Sequence, residues 1–160
     1  MASRAEQLAE RVAEGARHLI DSVQDLTDEQ WRTMCPNEKR SVGVLVHHVG
    51  AAYELEAGAV TALATNGAIP GVDVAAVDQM NAQHAAANAD VDKAMAIALV
   101  RQNNPLAVAA VRALTDEQLD RVAPNGLHWE APLTVQFFVE HHPVAHPYIH
   151  LSSIKAALGL

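Results

Sequence analysis

Apolar residues recur at helical spacing over most of this chain. Between residues 3 and 26 they follow one another at steps of four and three, and Ser3 with Glu6 three residues later has the pattern of a helix-capping pair. A second stripe begins after Ser41 and ends at Asn66-Gly67, a pair typical of a left-handed helix stop. The pattern therefore predicts two long amphipathic helices in the first part of the chain.

Residues 67–74, which include Pro70-Gly71, are expected to form a linker. A third helical region is predicted from about Val74, with a restart near Asp90. We expect residues 103–105, Asn-Asn-Pro, to kink or interrupt it, because proline lacks the backbone donor and disfavours helix at the preceding residue.

A Leu-Thr-Asp-Glu-Gln string occurs twice, at residues 26–30 and again within residues 114–119. Threonine followed three residues later by glutamine is a capping signal, so each copy predicts a short capped helical turn. Residues 124–132 are expected to form a loop, and Thr134 to cap a last helix that stops at Gly159. The repeated string suggests two similar halves, although five residues are too few to prove a duplication.

Long helices with no strand pattern predict an all-α fold, a four-helix bundle. The composition agrees: half of the 160 residues are apolar, while aromatic residues make up 4%. This amount of apolar sequence is sufficient for one core, and we expect residues 1–160 to form one domain.

Charge and composition exclude several classes of function. The formal net charge is −8 and Lys and Arg do not cluster, so we expect no nucleic-acid partner. No apolar run reaches membrane-spanning length, and charged residues occupy the N-terminal segment, so we expect neither a membrane partner nor a signal peptide. The single cysteine, Cys35, cannot form an intramolecular disulfide. A cytoplasmic location is therefore expected.

Histidine is the residue type that points to chemistry. Four of the nine histidines lie within residues 141–150, and a helix there would place His142, His146 and His150 along one side. Two imidazoles one turn apart supply half of a metal site. His48, on the inner stripe of the second long helix, is the candidate third ligand.

Two pairings remain open in the last helix. His142 with His146 has the same spacing as His146 with His150, and the apolar residues that follow favour the second pair. Pro143 and Pro147 should bend this helix, because each removes a backbone hydrogen bond. Four other histidines are expected to lie on the outer face, in solvent or in loops; these are His141, His84, His18 and His128. His47 lies about a hundred degrees round the helix from His48.

Two stretches resemble motifs of the DinB-like superfamily. Residues 41–49, SVGVLVHHV, resemble its second-helix motif with a ligand at His48, and residues 146–154, HPYIHLSSI, resemble its last-helix motif. Residues 78–82 and 114–119 are similar to its linking segments. The resemblance implies a four-helix bundle in up-down-down-up order, a divalent metal, often zinc or nickel, held by three residues, and frequent homodimers. It also implies a relationship to mycothiol-dependent maleylpyruvate isomerase and to bacillithiol S-transferases.

Three neutral imidazoles leave coordination positions open, as catalytic rather than structural zinc sites do. We therefore expect a transferase or isomerase that uses a small thiol such as mycothiol or bacillithiol on a small-molecule substrate, with metal ligands His48, His146 and His150. His142 is expected to lie behind the ligands or to face substrate, with Tyr148 and Trp129 as pocket walls. The alternatives are a metal-dependent hydrolase that uses bound water, or a metal-binding or stress-related bundle without turnover.

Overall fold

The computed structural model describes residues 2–69 and 72–160, so Pro70-Gly71 of the expected linker lie outside the described residues. The helices and strands, in chain order, are α1 (Arg4–Val23), α2 (Asp28–Arg32), β1 (Met34–Cys35), β2 (Arg40–Ser41), α3 (Val42–Asn66), α4 (Val74–Ala87), α5 (Lys93–Arg112), α6 (Asp116–Asp120), β3 (Val122–Asn125), a 3-10 turn (Gly126–His128), β4 (Ala131–Thr134), α7 (Val135–Val139), a π-helical turn (Glu140–Val144) and α8 (His146–Leu158).

Four helices form the bundle that the sequence predicts. Their neighbours follow a ring: α1 packs on α5, α5 on α3, α3 on α8, and α8 on α1. The stripe predicted for α1 is buried, and it includes Leu8, Val12, Leu19 and Val23. Each fully buried aliphatic side chain contributes about 1.5–3 kcal/mol, so this stripe fixes α1 on the bundle.

The helix ends follow the predicted capping residues. Ser41 accepts a hydrogen bond from the backbone N–H of Val44, and Gly67 ends α3 with a left-handed φ of 70°. Both copies of the repeated string form complete capping boxes, Thr27 with Gln30 and Thr115 with Gln118. Thr134 caps α7 through the N–H of Phe137.

The interruption that was one of the two outcomes expected at residues 103–105 does not occur, since α5 runs through them from Lys93 to Arg112. The side-chain amide of Asn103 donates to the carbonyl of Gly50 on α3 (3.0 Å), and that of Asn104 donates to the carbonyl of Val12 on α1 (3.2 Å). These buried bonds hold both neighbouring helices against α5 at the turn that contains Pro105. Tertiary packing therefore offsets the cost of a proline inside the helix.

Two short antiparallel hairpins were not predicted. β1 pairs with β2, and β3 pairs with β4. The second hairpin lies in the region where the sequence analysis expected a loop, residues 124–132. The first hairpin leads directly into α3, and the second leads into α7. The first hairpin therefore positions the start of α3, which carries His48, and the second positions α7, which leads through the π turn to α8 with His146 and His150.

The last helix is interrupted at Pro143, one of the two prolines where the sequence analysis expected a bend, and a π turn forms there. The backbone N–H of Ala145 donates to the carbonyl of Glu140 five residues earlier (3.1 Å), across the segment that contains Pro143. Pro147 stands in the first turn of α8, where no intrahelical donor is required. The wider turn breaks the i, i+4 register between His142 and His146.

Candidate metal centre

Three histidines from two helices converge at the bundle core. His48 lies two turns into α3, and His146 and His150 lie one turn apart on α8. One nitrogen of each lies within 4.8 Å of the others, and Nε2 of His146 is 3.1 Å from Nε2 of His48. The structure thus brings together the three residues that the sequence analysis selected as ligands.

The far side of two of these rings is held by carboxylates. His146 Nδ1 is 2.9 Å from Oε1 of Glu56, and His150 Nδ1 is 2.9 Å from Oε1 of Glu38. A neutral imidazole that donates its Nδ1 hydrogen to a carboxylate keeps the Nε2 lone pair free. Carboxylate–histidine pairs of this kind orient the ligands of metal sites and raise their basicity.

Glu38 is itself held in place by its neighbours. It lies in the turn of the β1–β2 hairpin, where the N–H groups of Glu38 and Lys39 both donate to the carbonyl of Cys35. Its carboxylate accepts hydrogen bonds from Arg40 Nη2 (2.7 Å) and Ser153 Oγ (3.0 Å). The hydrogen bond from His150, and then these neighbours, hold the pKa of Glu38 at about 2. It is a fixed anion behind His150.

Burial keeps the imidazoles of His48 and His150 neutral. It lowers the pKa of His48 to about 2, and the proximity of His146 and His150 acts in the same direction. The pKa of His150 is also lowered, because the effect of burial exceeds the opposing hydrogen bond with Glu38. A metal ligand must be a neutral imidazole, so His48 and His150 can bind a cation near pH 7 without first losing a proton.

The surroundings fit a divalent cation. Glu56 is 7% exposed, and its second oxygen, Oε2, is buried without a protein hydrogen-bond partner. With Glu38, two carboxylates lie behind the imidazoles, and Arg40 is the cation paired with one of them. A buried carboxylate needs compensating charge. An ion bound to His48, His146 and His150 supplies it, and nitrogen-only donors match zinc or nickel rather than magnesium.

A second pair of imidazoles lies beside the first three. His47 Nδ1 is 2.8 Å from Nε2 of His84 on α4, and the rings of His84 and His48 meet edge to face with centroids 5.5 Å apart. His84 was expected to be solvated, but it is half-buried, and its Nδ1 is buried without a protein partner. No residue of α4 is fully buried, so the helix has no apolar stripe from which the contact of His84 with the site could have been predicted.

The other predicted site residues lie elsewhere. His142 stacks on Phe138 (ring centroids 4.3 Å apart) and belongs to a different group of histidines, with His128 and His141. Tyr148 is 40% exposed and stacks on His18 of α1. Trp129 is 84% exposed at the tip of the β3–β4 hairpin. The roles of these residues toward substrate stay predictions.

Sequence reasoning missed both carboxylates. Glu56 follows His48 by eight residues on one helix, about two turns, so its position on the same side could have been found from spacing. Glu38 reaches His150 from a turn that is 112 residues away in sequence, and no local pattern announces such a contact.

A profile of the DinB superfamily matches residues 8–154. The chain belongs to the DinB superfamily. No curated protein sequence matches it significantly. Among solved structures it is similar to YfiT from Bacillus subtilis, described as a probable metal-dependent hydrolase with an unusual four-helix bundle topology. That likeness has a TM-score of 0.67 at 20% identity, and covers 99% of this chain and 91% of YfiT.

The match spans nearly the whole of both chains, so the two proteins share the four-helix bundle. The low identity limits the likeness to the fold, and the chemistry follows only from this chain's own residues.

Among the described residues, no helix combines the length and apolar character that crossing a bilayer requires.

Proposed function

We propose that this DinB-superfamily protein is a metal-dependent hydrolase whose ion, zinc or nickel, is held by His48, His146 and His150. The observation that carries the proposal is the convergence of three imidazoles, two of them oriented by carboxylates, with a further imidazole beside them. An ion held by these three residues would leave a coordination position open and would lower the pKa of a bound water to about 7.

His84 is the candidate proton acceptor. If His84 Nε2 donates to His47 Nδ1 across their 2.8 Å contact, then His84 Nδ1 carries a lone pair. That nitrogen is buried and has no protein partner, and burial lowers the pKa of His84 so that the imidazole is neutral near pH 7. A neutral imidazole beside the nucleophile can take its proton, a role worth 10²- to 10⁴-fold in rate.

The test compares His84→Gln with His18→Gln in zinc- or nickel-loaded protein. Activated esters and amides are the substrates, and bound metal is measured in the same samples. We expect His84→Gln to lose about 10²- to 10⁴-fold in kcat with its metal retained, while His18→Gln, altered on the exposed face of α1, keeps full activity. Equal hydrolysis by wild type and His84→Gln would remove His84 from the reaction.

A small thiol is the second candidate nucleophile, and one observation favours it. A cavity of about 260 Å³ is lined by three cations, Arg32, Lys39 and Arg40, and by one carboxylate, Asp90, with Ala85 of α4 also in its wall. Arg40 binds Glu38, and Glu38 bonds to His150, so two side-chain contacts link the wall of this cavity to the three histidines. Its cationic rim suits a polar or acidic thiol such as mycothiol or bacillithiol, and zinc-like ions bind thiolate sulfur well.

Cobalt substitution separates the two reactions. A sulfur-to-cobalt charge-transfer band on addition of a thiol, and none with the matching alcohol or thioether, would support a thiol-dependent transferase or isomerase. Ester or amide hydrolysis with no thiol-induced band supports the hydrolase. Neither result, together with a large rise in Tm on metal loading, would instead indicate a metal-stabilised bundle without turnover.

A further inference from the structure

Three other histidines converge outside the site described above. His128 lies on the 3-10 turn of the β3–β4 hairpin, and His141 and His142 lie on the π turn before α8. One nitrogen of each lies within 4.8 Å of the others. The ring centroids are 5.0 Å apart for His128 and His141, 5.7 Å for His128 and His142, and 5.2 Å for His141 and His142.

Two nitrogens in this group lack protein partners. His128 Nδ1 and His142 Nε2 are both buried from solvent, and neither has a hydrogen-bond partner on the protein. A buried polar atom left in this way costs about 1–3 kcal/mol, so such atoms in native proteins bind something. Two imidazoles that each have an orphaned buried nitrogen, with a third imidazole within reach, match the needs of a cation.

The group is separate from the first three histidines. His142 precedes His146 by four residues, which is about 6 Å of helix rise, and the π turn directs the two side chains to different neighbours. Paired-metal sites have ions about 3.5–4 Å apart, and carboxylates commonly bridge them. Here Glu38 and Glu56, the carboxylates bonded to histidine, both serve the first group.

We propose that His128, His141 and His142 form a second site, which binds a divalent transition-metal ion such as zinc, nickel or copper. Imidazole donors alone select these ions over magnesium and calcium. The carboxylates that bond to histidine, Glu56 and Glu38, both belong to the first site, so the affinity here is about 10- to 100-fold weaker than at the first site. His141 is exposed, which makes the ion exchangeable with solvent.

A bound ion would fasten the hairpin to the last helix. The hairpin turn holds Trp129 and Glu130 at positive φ, 54° and 60°, and it packs beside α4, which carries His84. Ligation of His128 would therefore fix the loop that supports α4. The second ion would thus help to fix the position of α4, although it would not bind to any of the first three histidines.

The experiment titrates metal-free full-length protein with zinc, nickel and copper and measures affinity and stoichiometry by calorimetry. We expect wild type to bind one ion tightly and a second about 10- to 100-fold more weakly, with no second event for magnesium or calcium. His141→Gln, at an exposed position with little folding risk, and His128→Gln should each abolish the weak event and leave the tight one. The exposed histidine variant His18→Gln should retain both.

The tight event reports that each variant is folded, so the two results can be separated. A single binding event in wild type would overturn the second site. Retention of two events in both His141→Gln and His128→Gln would overturn the assignment of its ligands. Loss of the tight event in His48→Ala with the weak one kept would support two independent sites.

Discussion

Glu56→Gln distinguishes a metal-orienting carboxylate from a structural ion pair. Glu56 is 7% exposed, its Oε1 is 2.9 Å from His146 Nδ1, and its Oε2 has no protein partner. Glutamine has nearly the same shape and can still accept the Nδ1 hydrogen, so the substitution removes a buried charge and little else. Loss of a carboxylate behind a ligating histidine weakens metal binding about 10- to 100-fold, or about 1.4–2.8 kcal/mol.

The same substitution should not reduce the free energy of unfolding of the metal-free protein. Because Glu56 is buried with one oxygen unpaired, its neutralisation relieves desolvation, and the free energy of unfolding should stay constant or rise. Chelator competition gives the metal affinity, and urea unfolding of stripped protein gives the stability. Glu54→Gln, exposed on the same helix, is the matched control and should change neither.

A different result is expected if Glu56 mainly pairs with a protonated His146. Breaking a buried ion pair costs about 3–5 kcal/mol. A loss of that size in metal-free Glu56→Gln, with unchanged metal affinity, would refute the role of Glu56 in orienting a ligand.

Three further predictions follow from the geometry. His150→Ala should lose bound metal under conditions where wild type keeps one tight ion, and His142→Ala should keep that ion; the reverse, by elemental analysis, would move the ligand pair to His142 and His146. Metal-free protein should lose stability from pH 6.5 to 5, because His48 and His142 have folded pKa values of about 2 and about 3, and the unfolded state therefore binds more protons. The free energy of unfolding should fall by about 2 kcal/mol per histidine by pH 5. Protonation of Glu38 lowers it further only below about pH 4.5. A urea midpoint that stays constant from pH 6.5 to 5 would contradict the lowered histidine pKa values. Gly50→Ala should cost about 1–3 kcal/mol, since its Cβ would lie 2.9 Å from the backbone N of Val100, while Gly58→Ala on the same helix meets no atom within 4 Å and should gain up to about 1 kcal/mol; equal urea stabilities would refute the close α3–α5 contact.

Much of the fold follows from local sequence patterns. The stripe of α1 and the caps at Thr27 and Thr134 are properties of a few neighbouring residues, and the structure confirms them. The interruption expected as one outcome at Pro105 does not occur, because Asn103 and Asn104 bond to other helices, a tertiary effect that local propensity does not contain.

The candidate site divides in the same way. Spacing on one helix selected His146 and His150, and the inner stripe of α3 selected His48. Glu38 and His84 were missed, because a hairpin turn and a weakly patterned surface helix bring them to the site. Pro143 predicted a bend, but packing decides whether a kink or a π turn forms. Because a π turn forms, His142 stacks on Phe138 and does not join His146 and His150.

Anomalous diffraction from zinc-loaded crystals would locate the ion directly. We expect the strongest zinc peak about 2.0–2.1 Å from the Nε2 atoms of His48, His146 and His150, with the Nδ1 atoms of the last two still bonded to Glu56 and Glu38. Fully loaded crystals with no zinc peak among these three histidines would contradict this assignment of the ligands.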